Sequence, residues 1–147
     1  MLNELNFGNE NYPLLLKEIP NPPQKLYYRG VFGQDGRPHV AIVGTRKATL
    51  AGRQIAKQFA KELASRGLVI VSGLATGIDT AAHEGALEAR GKTIAVLGWG
   101  IDQKLSGEDV KLAKAIIQTG GILLSEWESQ LATLWTFPAR NRIVAAL

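Results

Sequence analysis

The stretch VAIVGTRKATLAGR, residues 40–53, joins a short apolar run to a helical pattern through one glycine, Gly44. A strand, turn and helix in this order are typical of α/β folds that bind a phosphate at the helix N-terminus. Thr45, Arg46 and Lys47 stand where a dinucleotide fingerprint has further glycines. The stretch therefore predicts a buried strand, an anion-binding turn and a helix.

Three more apolar runs follow this one, LVIV (68–71), TIAVL (93–97) and ILLS (122–125). They do not alternate polar and apolar residues, which is typical of strands buried on both faces of a parallel sheet. Helix-length segments separate the runs, so strand and helix alternate. Right-handed crossovers then predict an α/β fold, Rossmann-like and doubly wound, with a mainly parallel sheet and helices on both faces.

The first of these helical segments, TLAGRQIAKQFAKELASRG (49–67), carries two rows of residues spaced four apart. The apolar row predicts the face turned toward the core and consists of Ile55, Phe59 and Leu63. The basic row consists of Arg53, Lys57 and Lys61 and either extends an anion track or is only solvated. The next two helices begin with capping-box spacings, Thr76 to Asp79 and Ser106 to Asp109.

Residues 1–39 differ from the rest because they contain five prolines. We expect an extended lead-in packed on the core, with little regular structure beyond a short helix at 14–17. Residues 40–147 are expected to form one Rossmann-like domain.

Composition narrows the function classes. The 147 residues include no cysteine and two histidines, so thiolate metal sites are excluded and zinc is disfavoured. No apolar run approaches the roughly 20 residues of a membrane span, which predicts a cytoplasmic protein. The net charge is +4, and the excess lies in the middle of the chain. An anionic partner is one explanation of that excess and a solvated helix face is the other.

The loops at the carboxyl ends of the four predicted strands are expected to hold the ligand, since these ends share one edge of the sheet. The second strand ends in Ser72 and Gly73 rather than in a ribose-binding acid, and no Walker A pattern is present, so a nucleotide cofactor is not expected. Arg46 suits a phosphate, or it pairs with Asp79 and ties two loops together. Gly73 and Gly77 allow a tight phosphate cradle.

Asp79 and His83 are four apart on a predicted helix, as an acid–base pair or half a metal site would be. The favoured interpretation is that Asp79 caps or pairs, and that His83 is a surface or packing residue. Aromatic residues interleave with arginines in the later loops, namely Trp99, Trp127, Trp135, Phe137, Arg140 and Arg142. Such rings stack on the bases of single strands, or they pin the loops to the core.

Four segments in order, VAIVGTRKAT, VIVSGLATGIDTAAHEGALE, GKTIAVLGWGID and FPARNRIVAAL, resemble the DNA-processing protein A family, DprA or Smf. The resemblance implies a cofactor-free protein without established catalysis that binds and protects single-stranded DNA. It also implies a homodimer that loads the RecA recombinase onto incoming strands during natural transformation. The predicted DNA-binding residues are Gly44, Thr45, Arg46, Lys47, Ser72, Gly73, Gly77, Asp79, Trp99, Phe137, Arg140, Asn141 and Arg142.

The chain departs from the family pattern at LSGED (105–109), where many members carry Tyr-Pro and then Glu-Asn. The family also continues beyond the last segment of this chain, so Ile143, Val144 and Leu147 are expected to lack packing partners. The alternative function is a related Rossmann-like phosphoribohydrolase, for which Glu126 would stabilise the transition state, although TGGILLSEWE (119–128) matches that enzyme motif poorly. A nucleotide sensor is the third possibility.

Overall fold

The computed structural model describes residues 1–33 and 36–147. Within these residues the strands are β1 (Asn3–Asn6), β2 (Lys25–Gly30), β3 (His39–Ala41), β4 (Val69–Gly73), β5 (Thr93–Val96) and β6 (Ile122–Ser125). The helices are α1 (Leu14–Lys17), α2 (Leu50–Ser65), α3 (Ile78–Glu88), α4 (Gly107–Gln118) and α5 (Thr136–Ala146). The four predicted strands and the helices between them are confirmed.

The strands form one mixed sheet in the order β1-β2-β6-β5-β4-β3. Strands β3 to β6 are parallel, and β1 and β2 extend the sheet by antiparallel pairing beyond β6. The parallel strands follow one another without a reversal of direction, so right-handed crossovers place α2, α3 and α4 on one face. Helices α1 and α5 pack on the other face. An α/β fold with helices on both faces is therefore confirmed.

The lead-in is more regular than its prolines predict. It contributes β1 and β2, and Tyr28 of β2 lies opposite Leu124 of β6. Tyr12 and Leu26 are fully buried in the core, and the Tyr12 hydroxyl donates a hydrogen bond of 2.7 Å to the Pro23 carbonyl. The prolines lie between the strands rather than inside them, which is why they do not interrupt the ladders.

Helix α2 uses only one member of the predicted apolar row, Leu63, which packs against the buried cluster beneath the helix. Ile55 and Phe59 are 58% and 59% exposed, and the buried residues of this helix are alanines, Ala56, Ala60 and Ala64. A side chain at Gly85 of α3 would collide with the backbone carbonyl of Lys57 and with Ala60. The two helices approach so closely that only small residues fit between them, and this overrides the larger apolar pattern.

Two further expectations are wrong. Helix α3 begins after Gly77, whose φ is 86°, without a side-chain cap from Thr76, and Ser106 precedes α4 without a side-chain capping bond. Ile143 and Val144 do not lack partners, because α5 buries both against the sheet.

Among the described residues, no helix has the length and apolar character needed to span a bilayer.

Candidate nucleic-acid interface

The loop after β3 rests on the start of helix α3. The Ile78 amide donates to the Thr45 carbonyl at 3.2 Å. A Cβ atom at Gly44 would lie 2.6 Å from the Ile78 side chain, and one at Gly77 would collide with the backbone of Thr45 and Arg46. Both glycines are needed for this close approach. The predicted turn therefore forms, and it exposes residues 44–47 at the carboxyl edge of the sheet.

Arg46 stacks on an aromatic ring. Its guanidinium carbon lies 4.4 Å from the centroid of the Phe137 ring, which is cation–π geometry. Phe137 in turn meets Trp99 edge-on, with ring centroids 6.3 Å apart. Gly98 leaves room for the ring, since a Cβ atom there would lie 2.7 Å from Phe137. The predicted pairing of Arg46 with Asp79 is not formed.

These residues make a surface that we call the outer layer, composed of Thr45, Arg46, Lys47, Trp99 and Phe137. Thr45, Arg46 and Lys47 are exposed and both rings are half-buried. The Thr45 hydroxyl accepts a bond of 3.1 Å from the Lys47 amide, which shapes the turn. No described contact gives the Lys47 ammonium an acidic partner. The outer layer therefore combines free positive charge with aromatic faces.

Asp79 and Arg140 lie beneath this surface, 5% and 6% exposed. Burial raises the pKa of Asp79, while Ser72, Arg140 and the amides of Gly44 and Ala75 favour its charged form. Burial lowers the pKa of Arg140, and the Asp79 carboxylate opposes that shift. Nη1 of Arg140 donates to the Val96 carbonyl at the end of β5. The pair therefore holds α5 and the loop after β3 against the sheet.

Ser72 and His83 are also internal. Ser72 is fully buried and its hydroxyl donates to the Ile42 carbonyl at 2.6 Å. The His83 ring contacts the Gly73 carbonyl through Nε2 (2.6 Å) and the Thr93 hydroxyl through Nδ1 (2.7 Å). His83 is fully buried, which confirms a packing histidine, and burial lowers its pKa to about 4, so the ring is neutral near pH 7. We call Ser72, Asp79, His83 and Arg140 the inner layer.

Arg142 is bound by a carboxylate and by two backbone carbonyls. It binds Glu126 with both terminal nitrogens, at 2.6 and 2.8 Å, and donates to the carbonyls of Asn21 (3.2 Å) and Ala139 (2.8 Å). The nearby Tyr12 hydroxyl has its pKa raised to about 12, first by burial and then by Glu126. Arg142 and Glu126 thus join α5, the end of β6 and the lead-in.

The basic row of α2 is largely neutralised. Lys57 pairs with Glu88 at 2.6 Å and with Glu84 at 3.7 Å, and Lys61 pairs with Glu88 at 3.3 Å. Arg53 is exposed and has no carboxylate partner among the described residues. The sequence left this row open because the acids that pair with it belong to another helix.

The loop after β6 carries a second aromatic pair. Trp127 and Trp135 meet edge-on with centroids 5.7 Å apart. Trp127 is held by backbone bonds, since its carbonyl accepts from Ile101 and its amide donates to Ser125, whereas Trp135 is 55% exposed. The interpretation that a ring pins the loop to the core therefore fits Trp127 better than Trp135. Asn141 is exposed beside the inner layer and accepts a bond of 3.1 Å from Arg140.

Sequence reasoning missed two supporting residues, Gly98 and Glu126. Gly98 was a detectable signal, because glycines on both sides of Trp99 suggest that another ring packs there. Glu126 gave no signal, since its partner lies 16 residues away. Across residues 1–33 and 36–147, no group of three or more acidic or histidine side chains is placed to hold a metal ion.

Comparison with known proteins assigns the family. The family profile described as DNA recombination-mediator protein A matches residues 3–147. The chain is 43% identical to the Smf protein of Synechocystis over 142 residues, which are 93% of this chain and 35% of that protein. It is 38% identical to DprA of Bacillus subtilis, covering 99% of this chain and 50% of that protein. The chain thus spans half or less of these two relatives.

Two solved structures have the same fold. DNA processing protein A from Streptococcus pneumoniae superposes with a TM-score of 0.87 at 38% identity, over 99% of this chain and 51% of the other. The second, DNA processing protein A from Helicobacter pylori, is described for its single-stranded DNA binding mode. It superposes with a TM-score of 0.83 at 35% identity, over 99% of this chain and 65% of the other.

Proposed function

The chain belongs to the DNA recombination-mediator protein A family, and we propose on that basis that it binds single-stranded DNA along the outer layer. The observation that carries the proposal is the exposed Arg46 guanidinium stacked on Phe137. The description of the Helicobacter pylori relative, which concerns single-stranded DNA binding, supports it. Stacked rings and guanidinium groups suit unpaired bases, which offer open faces that a duplex hides.

Each member of the outer layer has a role. The stacked guanidinium of Arg46 keeps its outer face and edges accessible, so a base stacks on it or a phosphate binds its N–H groups. Lys47 adds a second positive charge on the same turn. Phe137 and Trp99 continue the aromatic surface. The N-terminus of α2 follows the same turn and favours a phosphate through its remaining amides, since the Gly52 amide is already bound by the Thr49 hydroxyl.

The inner layer acts by positioning. Asp79 and Arg140 are too buried to reach a strand without rearrangement, and Arg142 is held by Glu126. We therefore assign to Ser72, Gly73, Gly77, Asp79, Arg140 and Arg142 the support of the outer layer rather than direct contact. Asn141, which is exposed, is free to contact DNA. Glu126, the acid that a phosphoribohydrolase would need, is neutralised by Arg142, which favours a binding protein over an enzyme.

The wider role belongs to the whole protein. We propose that it protects incoming single strands and loads RecA during natural transformation, as a homodimer in the cytoplasm. The outer layer would supply DNA binding for that task. The relatives extend well beyond the region matched here, so RecA contact and dimerisation are best tested on the full-length protein.

A salt titration tests DNA binding. Affinity for labelled oligo-dT is measured against salt concentration, beside the same titration with duplex DNA. Neutralisation of about two phosphates, by Arg46 and Lys47, gives a log–log slope of about −1.4 for single strands. Arg46→Ala should reduce the magnitude of the slope by about 0.7. It should weaken binding to all DNA sequences alike, since phosphate contacts carry no sequence information. A flat salt dependence, or duplex bound as tightly as single strands, would refute the proposal.

A further inference from the structure

A cavity of about 400 Å³ lies between strand β2, helix α4 and the loop after β5, outside the outer layer. Its walls are mostly apolar and include Leu97, Ile101, Ile117 and Leu123. Cavities of this size hold small molecules in other proteins. Three basic residues also line it, Arg29, Lys104 and Lys114, together with one acid, Asp102.

Arg29 occupies an unusual position. It lies opposite Leu123 in the β2–β6 ladder, and residues directly opposite each other share one face of a sheet. Leu123 belongs to the cluster packed under α4, so Arg29 lies on the face that the sheet turns toward that helix. Its Nε atom is buried and has no hydrogen-bond partner among the described residues. A buried donor without an acceptor is costly, and more so on a charged group.

The other charges do not relieve this cost. Lys104 and Lys114 are exposed, and neither forms an ion pair with any described residue. Asp102 already accepts hydrogen bonds from Gln103 (3.0 Å) and Ser129 (2.7 Å). The cavity therefore combines apolar side chains with a surplus of positive charge.

We propose that this cavity binds a small phosphate-bearing molecule with an apolar ring, of the nucleotide class. The phosphates would face Arg29, Lys104 and Lys114, and the ring would lie on the apolar wall. Arg29, whose buried Nε has no hydrogen-bond partner among the described residues, would have to turn that donor toward the phosphate. This site is separate from the outer layer, so its ligand and single-stranded DNA bind together. The inference does not depend on the proposed function.

Thermal denaturation and calorimetry with ADP test the site, with adenosine and pyrophosphate as the other probes. ADP should raise the denaturation midpoint in proportion to its saturation of the site. Adenosine should bind at least tenfold more weakly, because it lacks the charges, and pyrophosphate also more weakly, because it lacks the ring. ADP affinity should not change in the presence of saturating oligo-dT.

Two variants remove the basic groups. Arg29→Met and Lys114→Gln should each weaken ADP binding at least tenfold. Lys111→Gln, on the same helix as Lys114 but outside the cavity, should change the affinity for ADP less than twofold. Arg29→Met should also leave the ligand-free protein at least as stable as before, because it removes a buried unpaired donor. Unchanged ADP affinity in both cavity variants, no binding at millimolar ADP, or loss of ADP binding in Arg46→Ala would overturn the proposal.

Discussion

The outer and inner layers lie at the same edge of the sheet and share helix α5, yet they differ in what surrounds their charges. Arg46 and Lys47 are exposed and have no acidic partner in the part of the chain that the structure describes, whereas Arg140 is buried beside Asp79. A charge that meets water can exchange its hydration for a phosphate, but a buried charge already depends on its protein partners. Position at the edge therefore does not by itself make a residue a DNA contact.

The largest expected effect lies in the inner layer. Arg140→Ala leaves the Asp79 carboxylate buried without its countercharge, so we expect a loss of about 3 to 5 kcal/mol of unfolding free energy, measured by urea denaturation. Arg46→Ala, the matched change in the outer layer, should cost less than about 1 kcal/mol. The double variant Asp79→Asn, Arg140→Met should recover part of the loss. Equal losses at Arg46 and Arg140 would remove the distinction between the layers.

His83 gives the inner layer a pH dependence. Its pKa is about 4 in the folded protein and 6.5 as the ordinary value. Between these values the unfolded chain binds a proton that the folded protein does not, so stability falls as the pH drops from about 6.5 to 4. The expected loss is on the order of 3 kcal/mol.

The measurement compares urea denaturation of the wild type and His83→Gln across this pH range. Asp79 acts in the opposite direction, because burial raises its pKa, and it contributes equally to both proteins. The difference between them therefore isolates His83. Parallel pH curves for the two proteins would show that the histidine is not desolvated in the folded state.

The sequence predicts the parallel strands because each is a continuous apolar run, and it places the loop residues at one edge because parallel strands end together. It does not predict how deeply each of these side chains is buried. Asp79 and Arg140 are 61 positions apart in the chain, and nothing local indicates that they bury each other. The prediction of the buried face of helix α2 is wrong for a similar reason. The close approach of Gly85 favours burial of the alanine face over Ile55 and Phe59.

The contributions of ring stacking and of charge to DNA binding by the outer layer can be measured separately. Phe137→Leu keeps an apolar side chain under Arg46 but removes the aromatic face, so affinity for oligo-dT should fall by about 1 kcal/mol, roughly fivefold. The salt slope should stay unchanged, in contrast to Arg46→Ala, because no phosphate contact is lost. Salt titrations of both variants measure this. A reduced slope in Phe137→Leu would mean that the ring only positions the guanidinium.

The smallest effect is expected on the basic row of α2, which matches the outer layer in charge but not in partners. Lys57 and Lys61 face the carboxylates of Glu84 and Glu88, so a phosphate would have to displace an acid already in place. Lys57→Gln and Lys61→Gln should each change oligo-dT affinity less than twofold and leave the salt slope unchanged. A slope reduced by about 0.7 in either variant would extend the DNA track onto this helix. The same titration of Arg53→Gln examines the member of the row that has no acidic partner among the described residues, which distinguishes the effect of pairing from that of position.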